Sequence, residues 1–245
     1  MAEPAPGTTP DSTPDGTRGS GPDATIVHLV RHGEVHNPEG VLYGRRDGYH
    51  LSERGREMAE RVGKVLGERD IVHLRTSPLE RAQETAAPLA KALGLTPVVD
   101  PRVVESANVF EGKRFGHGDN ALRKPATWIH LWNPWRPSWG EPYKEIAARM
   151  LDAIAEARDA ARGREAAIVS HQLPIWVTRL SLERRSFLHD PRKRQCSLCS
   201  VTSLHYVGDA LTTITFSEPA GDLIPARDKS APYSAGGAPD PRKPR

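Results

Sequence analysis

The segment that most limits what this chain can fold into is Ile26-Val27-His28-Leu29-Val30-Arg31-His32-Gly33-Glu34. An apolar run rich in β-branched residues reads as a buried strand, and it stops abruptly at an arginine, a histidine and a glycine. In open α/β folds ligands bind at the carboxyl edge of the sheet, so Arg31 and His32 are expected to face such a crevice. Gly33 would allow a tight turn or a close backbone approach there. A second apolar run, Ala166-Ala167-Ile168-Val169-Ser170, also ends in a histidine, His171, before Gln172-Leu173-Pro174-Ile175-Trp176.

Around these two strands the chain alternates between helical and extended patterns. Glu34 to His50 reads as a loop over the His32 crevice, broken by Asn37-Pro38, Gly40, Gly44 and Gly48. Ser52 predicts the N-cap of a helix to about Arg69, with Met58, Val62, Val65 and Leu66 as its apolar stripe. Ile71 to Leu74 reads as a short strand. Ser77-Pro78-Leu79-Glu80 then predicts a capped helix, with Pro78 in its first position, Glu80 closing a capping box, and Gly94 as the stop after Leu93. Pro97-Val98-Val99 is a further short strand. Helices are expected from Tyr143 to Arg162 and, after the strand that ends in His171, to about Glu183, and a hairpin over 200–207 and 211–216 across Gly208-Asp209. This alternation predicts an α/β fold: a three-layer α/β/α sandwich with a mostly parallel sheet and helices on both faces. Residues 107–142 have no clean period and read as an irregular cap with one helix from Ala121 to Trp132. Trp128, Trp132, Trp135 and Trp139, with Lys113, Arg114, Arg123, Lys124 and Arg136, either line a substrate pocket or anchor that cap.

Only 37% of the 245 residues are hydrophobic, and the shortfall sits at the ends. Residues 1–22 and 220–245 are rich in Pro, Gly and polar groups and are expected to be disordered tails around a folded domain at 23–219. A net charge of +3 from 34 basic and 31 acidic side chains argues against an extended nucleic-acid surface. No secretory signal or membrane-length apolar run stands out, which predicts a cytoplasmic protein without a membrane partner. The 2 cysteines exclude a disulfide framework. Cys196-x-x-Cys199 lacks a second pair and no His-Glu-x-x-His occurs, so a zinc site is not expected, although His189 and His205 lie nearby.

Four separated segments in order resemble the histidine phosphatase superfamily, the phosphoglycerate-mutase-like or two-histidine phosphatases. They are Arg31-His32-Gly33-Glu34, Thr76-Ser77-Pro78-Leu79-Glu80-Arg81-Ala82-Gln83-Glu84-Thr85, Glu105 followed by Phe110-Glu111-Gly112, and Ser170-His171. The resemblance spans roughly Thr25 to Pro219 and implies a phosphoglycerate-mutase-like fold needing no metal or other cofactor. Phosphoryl transfer requires an in-line nucleophile, fixed positive charge around the equatorial oxygens and a proton for the leaving oxygen. His32 is the candidate nucleophile, Arg31 and Arg81 are forked phosphate donors, and His171 is a further charged donor to the same oxygens. Glu105 is the candidate general acid, with Glu34 and Glu111 as alternatives nearby. The resemblance implies the same five roles for His32, Arg31, Arg81, His171 and Glu105. Asn37 resembles a phosphate-contacting asparagine of the family but sits one residue closer to the nucleophile than usual, and Gln172 stands where many members have glycine.

The expected activity is hydrolysis of a small-molecule phosphomonoester through phosphohistidine. A phosphoglycerate mutase is the first alternative. The segment after Glu105 resembles the phosphatase branch and lacks the mutases' Arg-His-Tyr-Gly element. A non-catalytic phosphate-binding or scaffold protein is the second, disfavoured because nucleophile, arginines and second histidine are all present. Substrate identity and oligomeric state are not legible.

Overall fold

The structure, a computed structural model, describes residues 24–109, 111–112, 140–190 and 193–224. The expected helix from Ala121 to Trp132 and the tryptophan-rich cap lie outside the described residues. Six strands form one sheet: β1 (Ala24–Arg31), β2 (Ile71–Thr76), β3 (Val98–Val99), β4 (Glu165–Ser170), β5 (Val201–Val207) and β6 (Ala210–Ser217), in the order β3-β2-β4-β1-β5-β6. The pairings of β1 with β4 and of β2 with β4 and β3 are parallel, while β5 pairs antiparallel with β1 and β6. Among the described residues the α-helices are α1 (Glu53–Gly67), α2 (Glu80–Leu93), α3 (Tyr143–Ala160) and α4 (Gln172–Leu182).

β4 shows why the sheet carries helices on both faces. Its side chains alternate, with Ala167 and Val169 packed with Met58, Val62, Ala86 and Leu89 of α1 and α2. Ala166 and Ile168 pack on the other face with Met150, Ile154 and Ile175 of α3 and α4. A strand buried on both faces reads as a continuous apolar run. The α/β/α sandwich expected from the sequence is therefore the observed fold.

The register of β1 against β4 matters most for the site. Arg31 lies beside Ser170, and the His32 amide donates to the Ser170 carbonyl at 3.0 Å. The next residues, His32 and His171, therefore leave the sheet side by side. Gly33 does not serve a positive-φ turn; a Cβ on it would lie 2.6 Å from the Gly55 carbonyl oxygen. The glycine is required because the first turn of α1 crosses the strand end backbone against backbone.

Three local expectations are corrected. Ser52 caps α1 as predicted, accepting from the Gly55 amide at 3.0 Å, but Val65 of the expected stripe is 44% exposed. Helix α2 begins at Glu80, not at Pro78, and Glu80 does not reach back to close a box; its carboxylate accepts from the Gly48 amide. The boundary at 219 is also too early. Ala220 and Ile224 are buried in the α1/α2 core, with Leu223 packed against it, so a few apolar groups hold a segment whose average composition is polar. The two cysteines, both buried and free, join opposite cores, Cys196 with α3 and Cys199 with α1.

Candidate active site

The rings of His32 and His171 lie 5.1 Å apart, centroid to centroid, and tilted by 58°. His32 Nδ1 donates to its neighbour's carbonyl, Gly33 O, at 2.8 Å. That hydrogen bond places the ring proton on Nδ1 and leaves the lone pair on Nε2. Burial, then the charges of Arg81 and Arg31, hold the His32 pKa well below its ordinary value, so the ring is neutral at pH 7. His171 is held neutral likewise, by burial first and then by Arg81, His32 and Arg31.

His171 Nε2 bonds the Ser77 hydroxyl at 2.8 Å. The Leu79 amide points at the same oxygen, at 3.4 Å. Nδ1 of His171, with Nε and Nη1 of Arg81, is buried with no hydrogen-bond partner among the described residues. Buried polar atoms without partners are costly, and an oxyanion is the kind of ligand that pairs with groups such as these.

Arg31, at the end of β1, donates through Nη1 to the Cys196 carbonyl at 2.8 Å. Arg81, in the first turns of α2, is 0% exposed and donates through Nη2 to Gly44 O at 2.6 Å. Thr85 ties the two motifs together, accepting from the Gly33 amide at 3.0 Å and donating to Arg81 O at 2.6 Å. The Glu34–His50 loop thus reaches the crevice as expected, supplying Gly44 and the buried Tyr43.

The three carboxylates separate. Glu34, 2% exposed, accepts from the Ser52 hydroxyl at 2.7 Å and from Arg54 at 3.1 Å, so both its oxygens are committed to the start of α1. Glu105 is half-buried, with Oε1 accepting from the Ser106 amide at 2.8 Å. Its charge acts on Arg81 and Tyr43. Glu111 packs on Gly44, where a Cβ would lie 2.2 Å from its Oε1, and accepts from the Asn108 amide at 3.2 Å. Asn37 is not brought to the pocket by its side chain: Nδ2 donates to Val41 O and Oδ1 accepts from Val41 N, at 2.8 and 3.1 Å. The side chain bridges its own loop instead. Gln172 lies beside Arg31, its Nε2 donating to the same Cys196 carbonyl at 3.3 Å. Among the described residues no group of three or more His, Cys, Asp or Glu could hold a metal ion, and no helix is long and apolar enough to cross a membrane.

Sequence comparison places this geometry. The family model of the histidine phosphatase superfamily (branch 1) matches residues 27–218. The chain belongs to that superfamily. It is 55% identical over 199 residues to an uncharacterized protein of Mycobacterium tuberculosis, covering 81% of this chain and 98% of the relative. It is 31% identical over 215 residues to the probable phosphoglycerate mutase GpmB of Erwinia tasmaniensis, covering 82% and 95%. Its structure resembles that of a mycobacterial glucosyl-3-phosphoglycerate phosphatase with a TM-score of 0.59, at 26% identity, over 74% of this chain and 90% of that one. Among its relatives, then, this superfamily member counts both mutase- and phosphatase-type proteins. Reasoning from the sequence missed Tyr43 as a component of the site and took Ser77 only for a cap. Tyr43 carried no local signal, because its neighbours in the loop are irregular.

Proposed function

We propose that this superfamily member is a metal-independent phosphohydrolase that cleaves phosphomonoesters through a phosphohistidine on His32. The observation that carries the reading is the buried His32 ring, held neutral, with its proton on Nδ1 and its Nε2 lone pair beside His171. In the first half-reaction Nε2 attacks phosphorus. The P–N bond forms as the bond to the ester oxygen breaks, and Glu105 passes its proton to that departing oxygen. In the second, a water loses a proton to the Glu105 carboxylate as its oxygen attacks phosphorus. The P–N bond breaks, inorganic phosphate leaves, and neutral His32 and protonated Glu105 are restored.

Arg31, Arg81 and His171 hold the phosphoryl oxygens through both steps, where charge in a water-poor pocket is worth most. Arrival of a phosphate dianion favours the protonated form of His171, turning a neutral ring into a charged donor at the moment of need. Glu105 is assigned the acid role over Glu34 because Glu34 is fully engaged with Ser52 and Arg54. The test is release of free phosphate from a panel of phosphate esters, including glucosyl-3-phosphoglycerate and 3-phosphoglycerate, with EDTA present. Turnover on at least one ester is the expected result; none across a broad panel, with vanadate still bound, would leave a phosphate-binding protein.

A mutase reading is supported by the 31% identity to the probable phosphoglycerate mutase. Isomerisation of 3-phosphoglycerate without net phosphate release would favour it.

A further inference from the structure

We propose that Tyr43 positions Arg81 for the phosphoryl group, acting through the face of its ring and not through its hydroxyl. This deepens the phosphoryl-transfer reading and rests on it. The guanidinium carbon of Arg81 stands 4.7 Å from the centroid of the Tyr43 ring. A guanidinium held by a ring face keeps its N–H donors in its own plane, available at the edges. One edge is taken, by Nη2 donating to Gly44 O. Nε and Nη1 are left without partners among the described residues.

Tyr43 and Gly44 are consecutive, so one stretch of backbone grips the cation from its face and from its edge. The grip is rigid. Tyr43 is buried, and its ring is stacked on Tyr49 with centroids 5.0 Å apart and planes 28° from parallel. The ring also brings no charge of its own, because burial pushes the phenol up to about 12. An aliphatic side chain could fill the same space but would offer Arg81 no negative face, leaving the planar fork free to rotate about its remaining hydrogen bond.

The test uses the full chain and reads anion binding as well as turnover. Orthophosphate and orthovanadate affinities are measured by calorimetry, and kcat and KM on an aryl phosphate, for Tyr43→Phe, Tyr43→Leu, Arg81→Met and the Tyr43→Leu/Arg81→Met pair. Tyr43→Leu is expected to lose about 30-fold in vanadate affinity and in kcat, with a smaller change in KM. Tyr43→Phe recovers all but about threefold of that loss, since it keeps the ring. The double variant is no worse than Arg81→Met alone, because the tyrosine acts through the arginine. The proposal is overturned if Tyr43→Leu binds vanadate as the wild type does, if Tyr43→Phe falls as far as Tyr43→Leu, or if the losses multiply in the double variant. Should Tyr43→Leu not fold, Tyr43→Met takes its place against Tyr43→Phe. A wild type that binds vanadate yet hydrolyses no ester would refute the phosphohydrolase reading alone; the binding pattern of the variants would still decide the role of Tyr43.

Discussion

The hydroxyl of Ser77 meets Nε2 of His171 at 2.8 Å, across 94 residues of sequence. That contact shifts the start of α2. A serine followed by proline and, three residues on, glutamate has the pattern of a helix N-cap, yet here the hydroxyl faces the imidazole. The helix begins two residues beyond Pro78, at Glu80, with Leu79 as a cap that makes no side-chain bond. Ser77 is fully buried, and its amide donates to Val169 O at 3.0 Å, so the serine is welded to the strand that delivers His171.

Replacing Ser77 with Ala should therefore act on the site more than on the helix. The loss of one buried hydrogen bond is expected to cost about 1 kcal/mol of stability. The freed His171 ring should lower kcat by about tenfold. Thermal melting and steady-state kinetics on the same preparation would check both; a large stability loss with unaltered kcat would contradict the assignment.

His32→Ala is expected to lower kcat by at least about 10³-fold. The melting temperature should stay the same or rise, since the change removes a buried polar ring held beside two guanidinium groups. After brief exposure to labelled substrate, acid-labile and base-stable label should appear on the wild type and not on this variant.

Glu105→Gln separates the proton donor from its neighbours. Substrates with poor leaving groups should slow by about 10² to 10⁴-fold, while activated aryl phosphates lose far less. Equal losses on both classes would transfer the role to Glu111, because Glu34 is already engaged by Ser52 and Arg54.

The two buried histidines also set a pH dependence of stability. Their folded pKa values lie well below the ordinary value of 6.5, so between those limits the unfolded chain binds more protons than the folded one. Stability from this source is full above about pH 6.5 and is lost as pH falls toward and through the folded values, at up to about 1.4 kcal/mol per pH unit for each ring. Chemical unfolding at pH 7.5, 6.5 and 5.5 should show the decline, with a shallower slope for His32→Ala. Binding of orthophosphate near neutral pH should take up protons as His171 becomes charged, which calorimetry in buffers of different ionisation enthalpy would detect.

Truncation tests the carboxyl boundary. A chain ending at Pro219 loses Ala220 and Ile224 from the core beneath α1 and α2, and Ile224→Ala removes the larger of the two side chains. The point variant should cost about 2 to 4 kcal/mol, and the truncation at least as much.

Local pattern carried much of this protein. The β-branched run into Arg31-His32-Gly33, the second run into His171, the Ser52 cap, the Gly94 stop and the hairpin at Gly208 could all be read directly. Strand burial, helix periodicity and turn chemistry are written in neighbouring residues, and the layer architecture follows from their alternation. Tertiary structure decided which polar groups meet. Glu34 was taken by Ser52 and Arg54, the Asn37 amide by Val41, the Ser77 hydroxyl by His171, and the Arg81 face by Tyr43. A hydrogen-bonding side chain has several equivalent partners within reach of its own sequence, and only the packing of distant elements selects among them. For the same reason the segment at Ile224 reads as tail by composition and as core by contact.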